Sequence, residues 1–261
     1  MTYLNSKTSA KLNTRQIRSY KKKSSKRPLQ MLTCYDFQTA GLLNETNLDL
    51  ILVGDSLGNV ILGYENTIEV NIETMVLFSK AVKKGAPQKF VIADLPFGSY
   101  ASMELGLTNA IKLFQQSGVE ALKLEGAFPF ELELIKRLSQ IGIPIMGHIG
   151  LTPQSVHEQG GYFTHGKNLH EQEKLTEEAK ALEAAGCFCI VLECVEEKLA
   201  QEITQNLSIP TIGIGSGTET DGQVLVINDL LHLGKNTPPK FCKPIAHLYE
   251  TKKQLIEEYL K

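Results

Sequence analysis

A chain of 261 residues, 42% of them hydrophobic, suits one large domain or two small ones, because a single α/β barrel uses roughly 250 residues. No apolar run approaches the roughly 18 residues that a membrane span needs, and no apolar segment follows Met1, so neither a spanning helix nor a secretory leader is expected. The formal net charge of −2 is nearly balanced but unevenly placed: the first 27 residues hold nine Lys or Arg, and no Asp or Glu precedes Asp36.

That basic start reads as a solvated helix and linker. Its composition, rich in Ser, also fits a transit peptide or a nucleic-acid arm. Residues 1–14 are expected to be a basic extension without fixed structure, and residues 15–261 a single domain that opens with a short helix. The five cysteines are Cys34, Cys187, Cys189, Cys194 and Cys242. An odd count without metal-site spacing points to a reducing compartment, hence to a cytoplasmic protein. Cys187 and Cys189 flank Phe188 in an apolar run and read as small buried hydrophobes.

From residue 30 onward, short apolar runs alternate with helical patterns. The runs are 30–34, 48–53, 90–93, 121–124, 143–147, 188–192, 210–214 and 223–227. Each is rich in Ile, Leu or Val and close to continuously apolar, as strands buried on both faces are. Helical patterns cover 72–84, 101–117 (stopping at Gly118), 171–185 (stopping at Gly186) and a stretch near 248–260. Eight strands with intervening helices predict a (β/α)8 barrel; a doubly wound open sheet is the alternative.

Polar residues terminate these runs. Asp55 and Ser56 follow Leu50–Gly54; Asp94 follows the third run, Glu125 the fourth, His148 the fifth and Glu193 the sixth. In a parallel barrel all these ends meet on one rim, where barrel enzymes place their chemistry. One acid there can be explained as a helix cap or a solvated side chain. Four carboxylates and a His on successive strands repel unless a cation relieves them, at about 1–4 kcal/mol per close pair. Oxygen donors without thiolate favour Mg²⁺ over Zn²⁺. Lys123 and Glu125 are two residues apart, so both face the same side. Lys123 then either pairs with a barrel carboxylate or accepts a substrate anion. Met146 and His148 share a face by the same rule. The glycine-rich stretches 54–58 and 213–217 lack dinucleotide spacing, and tight turning explains them as well as phosphate binding does.

Ordered motifs run along most of the chain: MLTCYD at 31–36, LVGDSLG at 52–58, ADLPFGSY at 93–100, KLEG at 123–126, GHIGLTPQSV at 147–156, GGY at 160–162, ALEAAG at 181–186, LEC at 192–194, IPTIGIGSGTETDGQ at 209–223 and PKF at 239–241. Together they resemble the ketopantoate hydroxymethyltransferase family. The resemblance implies a (β/α)8 barrel of the phosphoenolpyruvate/pyruvate type. It implies conversion of 3-methyl-2-oxobutanoate, 5,10-methylenetetrahydrofolate and water into 2-dehydropantoate and tetrahydrofolate, a step of pantothenate and coenzyme A synthesis. By motif, Asp55 and Asp94 resemble the direct Mg²⁺ ligands, and both contact substrate. Glu125 resembles a third carboxylate of the metal's surroundings, acting directly or through water. Ser56 and Lys123 resemble the residues that hold the substrate carboxylate, His148 a substrate-side hydrogen-bonding residue, and Glu193 the proton acceptor. The resemblance further implies self-association, as a homodecamer. No nucleic-acid or membrane partner is expected. GSG stands where GAG is common, and 233–238 diverges; neither touches the metal or base positions.

The chemistry explains these residue types. The C3 proton of a 2-oxo acid is weakly acidic in water. A divalent ion on the keto and carboxylate oxygens lets a partly desolvated carboxylate remove it. A lyase or mutase of the related barrels shares this logic without folate. A silent barrel would have lost the acids, whereas all four are present.

Overall fold

The computed structural model describes residues 11–25 and 27–261, with Lys23 by its backbone alone. Eight strands, β1 (Leu29–Thr33), β2 (Leu50–Val53), β3 (Phe90–Asp94), β4 (Ala121–Glu125), β5 (Ile145–Gly150), β6 (Cys189–Glu193), β7 (Thr211–Ile214) and β8 (Gly222–Leu225), pair in parallel and in chain order. β8 returns to β1, with Leu29 opposite Gly222 and Met31 opposite Val224, so the sheet closes into a barrel. The open-sheet alternative is excluded by that closure.

The helices are α1 (Thr14–Arg18), α2 (Phe37–Asn44), α3 (Ile72–Gly85), α4 (Met103–Ser117), α5 (Pro129–Gln140), α6 (Val156–Gln159), α7 (Leu169–Ala185), α8 (Glu197–Asn206), α9 (Ile227–Leu230) and α10 (Leu248–Tyr259). Their starts are set by side chains that accept orphan backbone N–H groups: Asn71 from Thr74, Ser102 from Leu105, Asn168 from Glu171. α4 and α7 stop at Gly118 and Gly186, as the sequence predicts.

Two apolar clusters hold the fold. One joins the outward strand faces to the helices, through Val53, Met75, Val91, Leu113, Leu122, Leu138, Leu182 and Ile190. The other fills the lower barrel with Leu29, Met31, Leu50, Phe90, Ile92, Met146, Phe188 and Ile212. There the Phe90 and Phe188 ring centroids lie 5.9 Å apart. Ile17 of α1 closes this floor and is fully buried, with Leu12 and Tyr20 packed at its edge.

The basic start is therefore docked in part. Asn13 caps α1, Lys11 pairs with Glu120, and Lys21 lies 2.6 Å from the buried carboxylate of Asp221. Residues 11–14, assigned to the extension by the sequence reading, sit against the barrel floor; residues 1–10 lie outside the described residues. Among the described residues no helix is long and apolar enough to cross a membrane. All five cysteines are free thiols, and Cys187 and Cys189 are buried.

Candidate active site

Side chains alternate across a strand, so every second residue points into the barrel. Along β3 the inward set is Phe90, Ile92, Asp94; along β4 Ala121, Lys123, Glu125; along β5 Met146, His148; along β6 Cys189, Val191, Glu193. Each series starts apolar and turns polar toward the C-terminal end. Beyond β2 the chain turns at Gly54 and brings Asp55 and Ser56 to the same mouth. All seven residues singled out in the sequence, Asp55, Ser56, Asp94, Lys123, Glu125, His148 and Glu193, line one cavity of about 90 Å³.

Five of them are buried: Asp55, Asp94, Lys123, Glu125 and His148. The Lys123 ammonium lies 3.2 Å from Asp94 Oδ2 and 3.4 Å from Glu125 Oε1. Of the two readings of Lys123, the ion pair within the barrel is present. A substrate anion would share or displace one of the ammonium's partners, since an ammonium has three donors and Asp94, Glu125 and His148 all lie within reach. His148 Nδ1 lies 3.1 Å from Lys123 Nζ and 3.4 Å from Glu125 Oε1. Its Nε2 is 3.2 Å from Glu193 Oε2 but makes no aligned hydrogen bond. The Ser56 hydroxyl is 2.8 Å from the Tyr35 hydroxyl. The Asp55 backbone N–H donates to Asp94 Oδ2 at 3.2 Å. Glu193 is partly desolvated, its side chain 17% exposed.

The electrostatics show a shortage of positive charge. Burial, reinforced by Glu125 and Asp94, pushes the Asp55 carboxyl up to about 8. Asp94 is raised as well, by burial and then Glu125, against the pull of Lys123. For Glu125 burial acts upward, but Lys123 and His148 outweigh it and lower it to about 2. His148 is pushed down by burial and Lys123; Glu125 and Glu193 overcome both and raise it to about 9.

The donor set fits a divalent ion. Asp94 Oδ1 is buried with no hydrogen-bond partner. Asp55 is buried and short of a counter-charge. Both are hard oxygen donors of the kind Mg²⁺ takes. Among the described residues no group of three or more His, Cys, Asp or Glu side chains is placed to hold a metal ion by itself. An open site of two carboxylates, completed by water and substrate oxygens, is the arrangement these residues fit. Glu125 is engaged elsewhere, by Lys123, His148 and the backbone N–H of Gln154.

Two residues here went unassigned in the sequence reading. Gln154 Nε2 donates to Asp55 Oδ2 at 2.9 Å and to the Leu95 carbonyl at 3.0 Å. The Tyr100 hydroxyl donates to Gln154 Oε1 at 2.8 Å. Both sit inside recognised motifs, at 147–156 and 93–100, which is the signal that was available. The glycine-rich loop after β7 needs no phosphate: an added Cβ on Gly215 would lie 2.8 Å from the Phe241 ring.

A closed parallel barrel with its ionisable groups gathered at the C-terminal mouth is the architecture of (β/α)8-barrel enzymes. Solved structures agree on the fold: 2,3-dimethylmalate lyase, a PEP mutase/isocitrate lyase superfamily member, aligns with a TM-score of 0.60 at 15% identity over 88% of this chain and 80% of its own. Phosphonopyruvate hydrolase, solved with oxalate and Mg²⁺, aligns at 0.62 and 10% identity over 95% and 85%. Sequence comparison is more specific. Residues 11–261 match the ketopantoate hydroxymethyltransferase family. The 3-methyl-2-oxobutanoate hydroxymethyltransferase of Leptospira interrogans serogroup Icterohaemorrhagiae serovar copenhageni (strain Fiocruz L1-130) is 48% identical over 92% of this chain and 91% of its own. That of Thermotoga neapolitana (strain ATCC 49049 / DSM 4359 / NBRC 107923 / NS-E) is 49% identical over 94% and 90%. The chain belongs to the ketopantoate hydroxymethyltransferase family, and it is a transferase.

Proposed function

We propose that this enzyme transfers the one-carbon unit of 5,10-methylenetetrahydrofolate to C3 of 3-methyl-2-oxobutanoate, giving 2-dehydropantoate and tetrahydrofolate with Mg²⁺ at the mouth. The observation that carries the mechanism is the buried group Asp55, Asp94, Lys123, Glu125 and His148, with Glu193 beside it and Asp94 Oδ1 unsatisfied. Asp55 and Asp94 would hold the ion, and Glu125 would stabilise the cations around it. Bound there, Mg²⁺ would supply Lewis-acid polarisation of the keto oxygen and so acidify C3–H.

The chain's own groups do the rest. Lys123 and the Ser56 hydroxyl receive the substrate carboxylate. Glu193, 3.2 Å from His148, removes the C3 proton. His148 can pass a hydrogen bond between Glu193 and the substrate side. The apolar wall of Leu52, Val191, Ile214 and Val224 accommodates the two methyl groups and keeps water from the reacting carbon. One of the two C–N bonds that hold the folate methylene opens, its nitrogen taking up the proton lost from C3, and C3 bonds to the methylene carbon; water then displaces the second nitrogen, leaving its oxygen as the new hydroxyl and a proton on the released tetrahydrofolate.

Family likeness supports a cytoplasmic homodecamer. Pairing of Lys11, Lys21 and Arg27 with Glu120, Asp221 and Asp49 supports a basic start used for folding rather than for nucleic acid. The test is product detection with both substrates and Mg²⁺, with and without chelator. 2-Dehydropantoate formation that needs all three is expected. Folate-independent cleavage of the 2-oxo acid would replace this reading with a lyase.

A further inference from the structure

Between the carboxylates of the mouth lies one buried neutral side chain, Gln154, with both polar atoms of its amide engaged. The chain reaches it by a sharp route. β5 ends at Gly150, whose φ is +93° and where an added Cβ would lie 2.3 Å from the Glu193 carbonyl oxygen. A 3₁₀ turn over Pro153–Ser155 follows and swings Gln154 back over the barrel. The Gln159 side chain braces the turn by bonding the Thr152 backbone N–H and hydroxyl and the Gly150 carbonyl.

The amide has only one orientation compatible with its neighbours. The Leu95 carbonyl can only accept, so the group facing it at 3.0 Å is the NH₂, which also donates to Asp55 Oδ2 at 2.9 Å. The Tyr100 hydroxyl at 2.8 Å then donates to the amide oxygen. The Gln154 backbone N–H reaches Glu125 Oε2 at 3.2 Å. One residue thus ties the loop after β2, the end of β3 and the end of β4 at the level of the carboxylates. A bare carboxylate free to rotate would present its oxygens in many ways; one held by a single oxygen presents the second in one way.

We propose that Gln154 is a positioning residue for the ion site: it grips one oxygen of Asp55 and leaves the other for the ion, while Tyr100 fixes the Gln154 amide. This rests on the reading of Asp55 as a metal ligand. Groups that orient a metal's ligands typically contribute 10–100-fold to affinity. A purely structural glutamine would stabilise the turn and leave metal binding untouched.

The experiment is Mn²⁺ binding to the folded protein without substrates, followed by electron paramagnetic resonance, with circular dichroism and thermal melting in parallel. Asp55→Asn is expected to abolish binding. Gln154→Met, close in size but without donors, is expected to weaken it by about 10–100-fold while the protein remains folded. Tyr100→Phe, which removes only the hydroxyl, is expected to weaken it by a smaller factor. Folded Gln154→Met with wild-type Mn²⁺ affinity, alongside loss in Asp55→Asn, would overturn the positioning role and leave Asp55 as a ligand. Wild-type affinity in Asp55→Asn would instead remove the reading beneath it. Should Gln154→Met not fold, unchanged affinity in Tyr100→Phe overturns the proposal and weakened affinity supports it.

Discussion

At the floor of the barrel, Phe90, Phe188, Leu50, Met146 and Ile17 are buried against one another. Two to four residues further along β3, β4 and β5, Asp94, Lys123, Glu125 and His148 are just as buried, but they carry charge. The strands are the same and the pleat is the same; only the side chains change. Burial of the first group stabilises the fold, by about 1.5–3 kcal/mol for each large apolar side chain. Burial of the second costs stability at Asp94, as at Asp55, whose carboxyls lose water and gain too few partners, whereas Glu125 is compensated by Lys123 and His148. The floor therefore sustains a mouth in which Asp55 and Asp94 are short of cationic partners, as the proposed ion site requires. Any substitution sorts by which end it touches.

The sharpest separation is expected from Glu193→Gln. Turnover should fall by roughly 10²–10⁴, the range for loss of a general base, while binding of Mg²⁺ and of the 2-oxo acid, followed by calorimetry, stays near wild type. Turnover close to wild type would remove Glu193 from the role of base.

Phe188→Ala is the complementary change at the floor. It should cost about 3–5 kcal/mol of stability in denaturant unfolding. Mg²⁺ affinity should be unaffected under conditions where the variant is folded. A large loss of metal affinity with little loss of stability would collapse the distinction between the two ends.

A smaller effect follows from pH. The folded-state value of Asp55, about 8, lies above its ordinary 3.8. Across that window the folded protein holds a proton that the unfolded chain has lost. Stability of the metal-free protein should therefore be fullest below about pH 4 for this group and decline as pH rises through about 8, by at most ~1.4 kcal/mol per pH unit. His148, raised to about 9 from 6.5, acts in the same direction at higher pH. Glu125, lowered to about 2 from 4.5, opposes the decline only at acid pH. Unfolding midpoints measured from pH 5 to 8 with chelator present check the slope, and Asp55→Asn should flatten it. A slope of the opposite sign would mean that the mouth has enough cations already.

Much of this was legible because a buried parallel strand leaves a distinctive trace. All eight runs became strands, with ends displaced by a few residues. The acids stood out because each follows a largely apolar run, as Asp94 follows Phe90–Ala93, with Lys123 the one charged interruption. The two-residue spacing of Lys123 and Glu125 placed both inside the barrel. Five helices, α2, α5, α6, α8 and α9, went unread: α6 and α9 span four residues each, and α2 buries only Ala40 and Leu43. β5 runs two residues past His148, so that side chain sits within a strand, not after it. Gln154 was not legible as part of the site, since its place depends on a turn that folds back across the mouth. Sequence spacing says nothing of its 2.9 Å contact with a residue 99 positions away.

On the proposed reading, carboxylates from separate strands hold a divalent ion that makes C3 of the 2-oxo acid easy to deprotonate. Exchange of the C3 proton of 3-methyl-2-oxobutanoate with solvent deuterium, followed by NMR without folate, tests it most directly. Exchange is expected with wild-type protein and Mg²⁺, and its loss with chelator or in Asp94→Ala. Exchange that continues unchanged in chelator would contradict it.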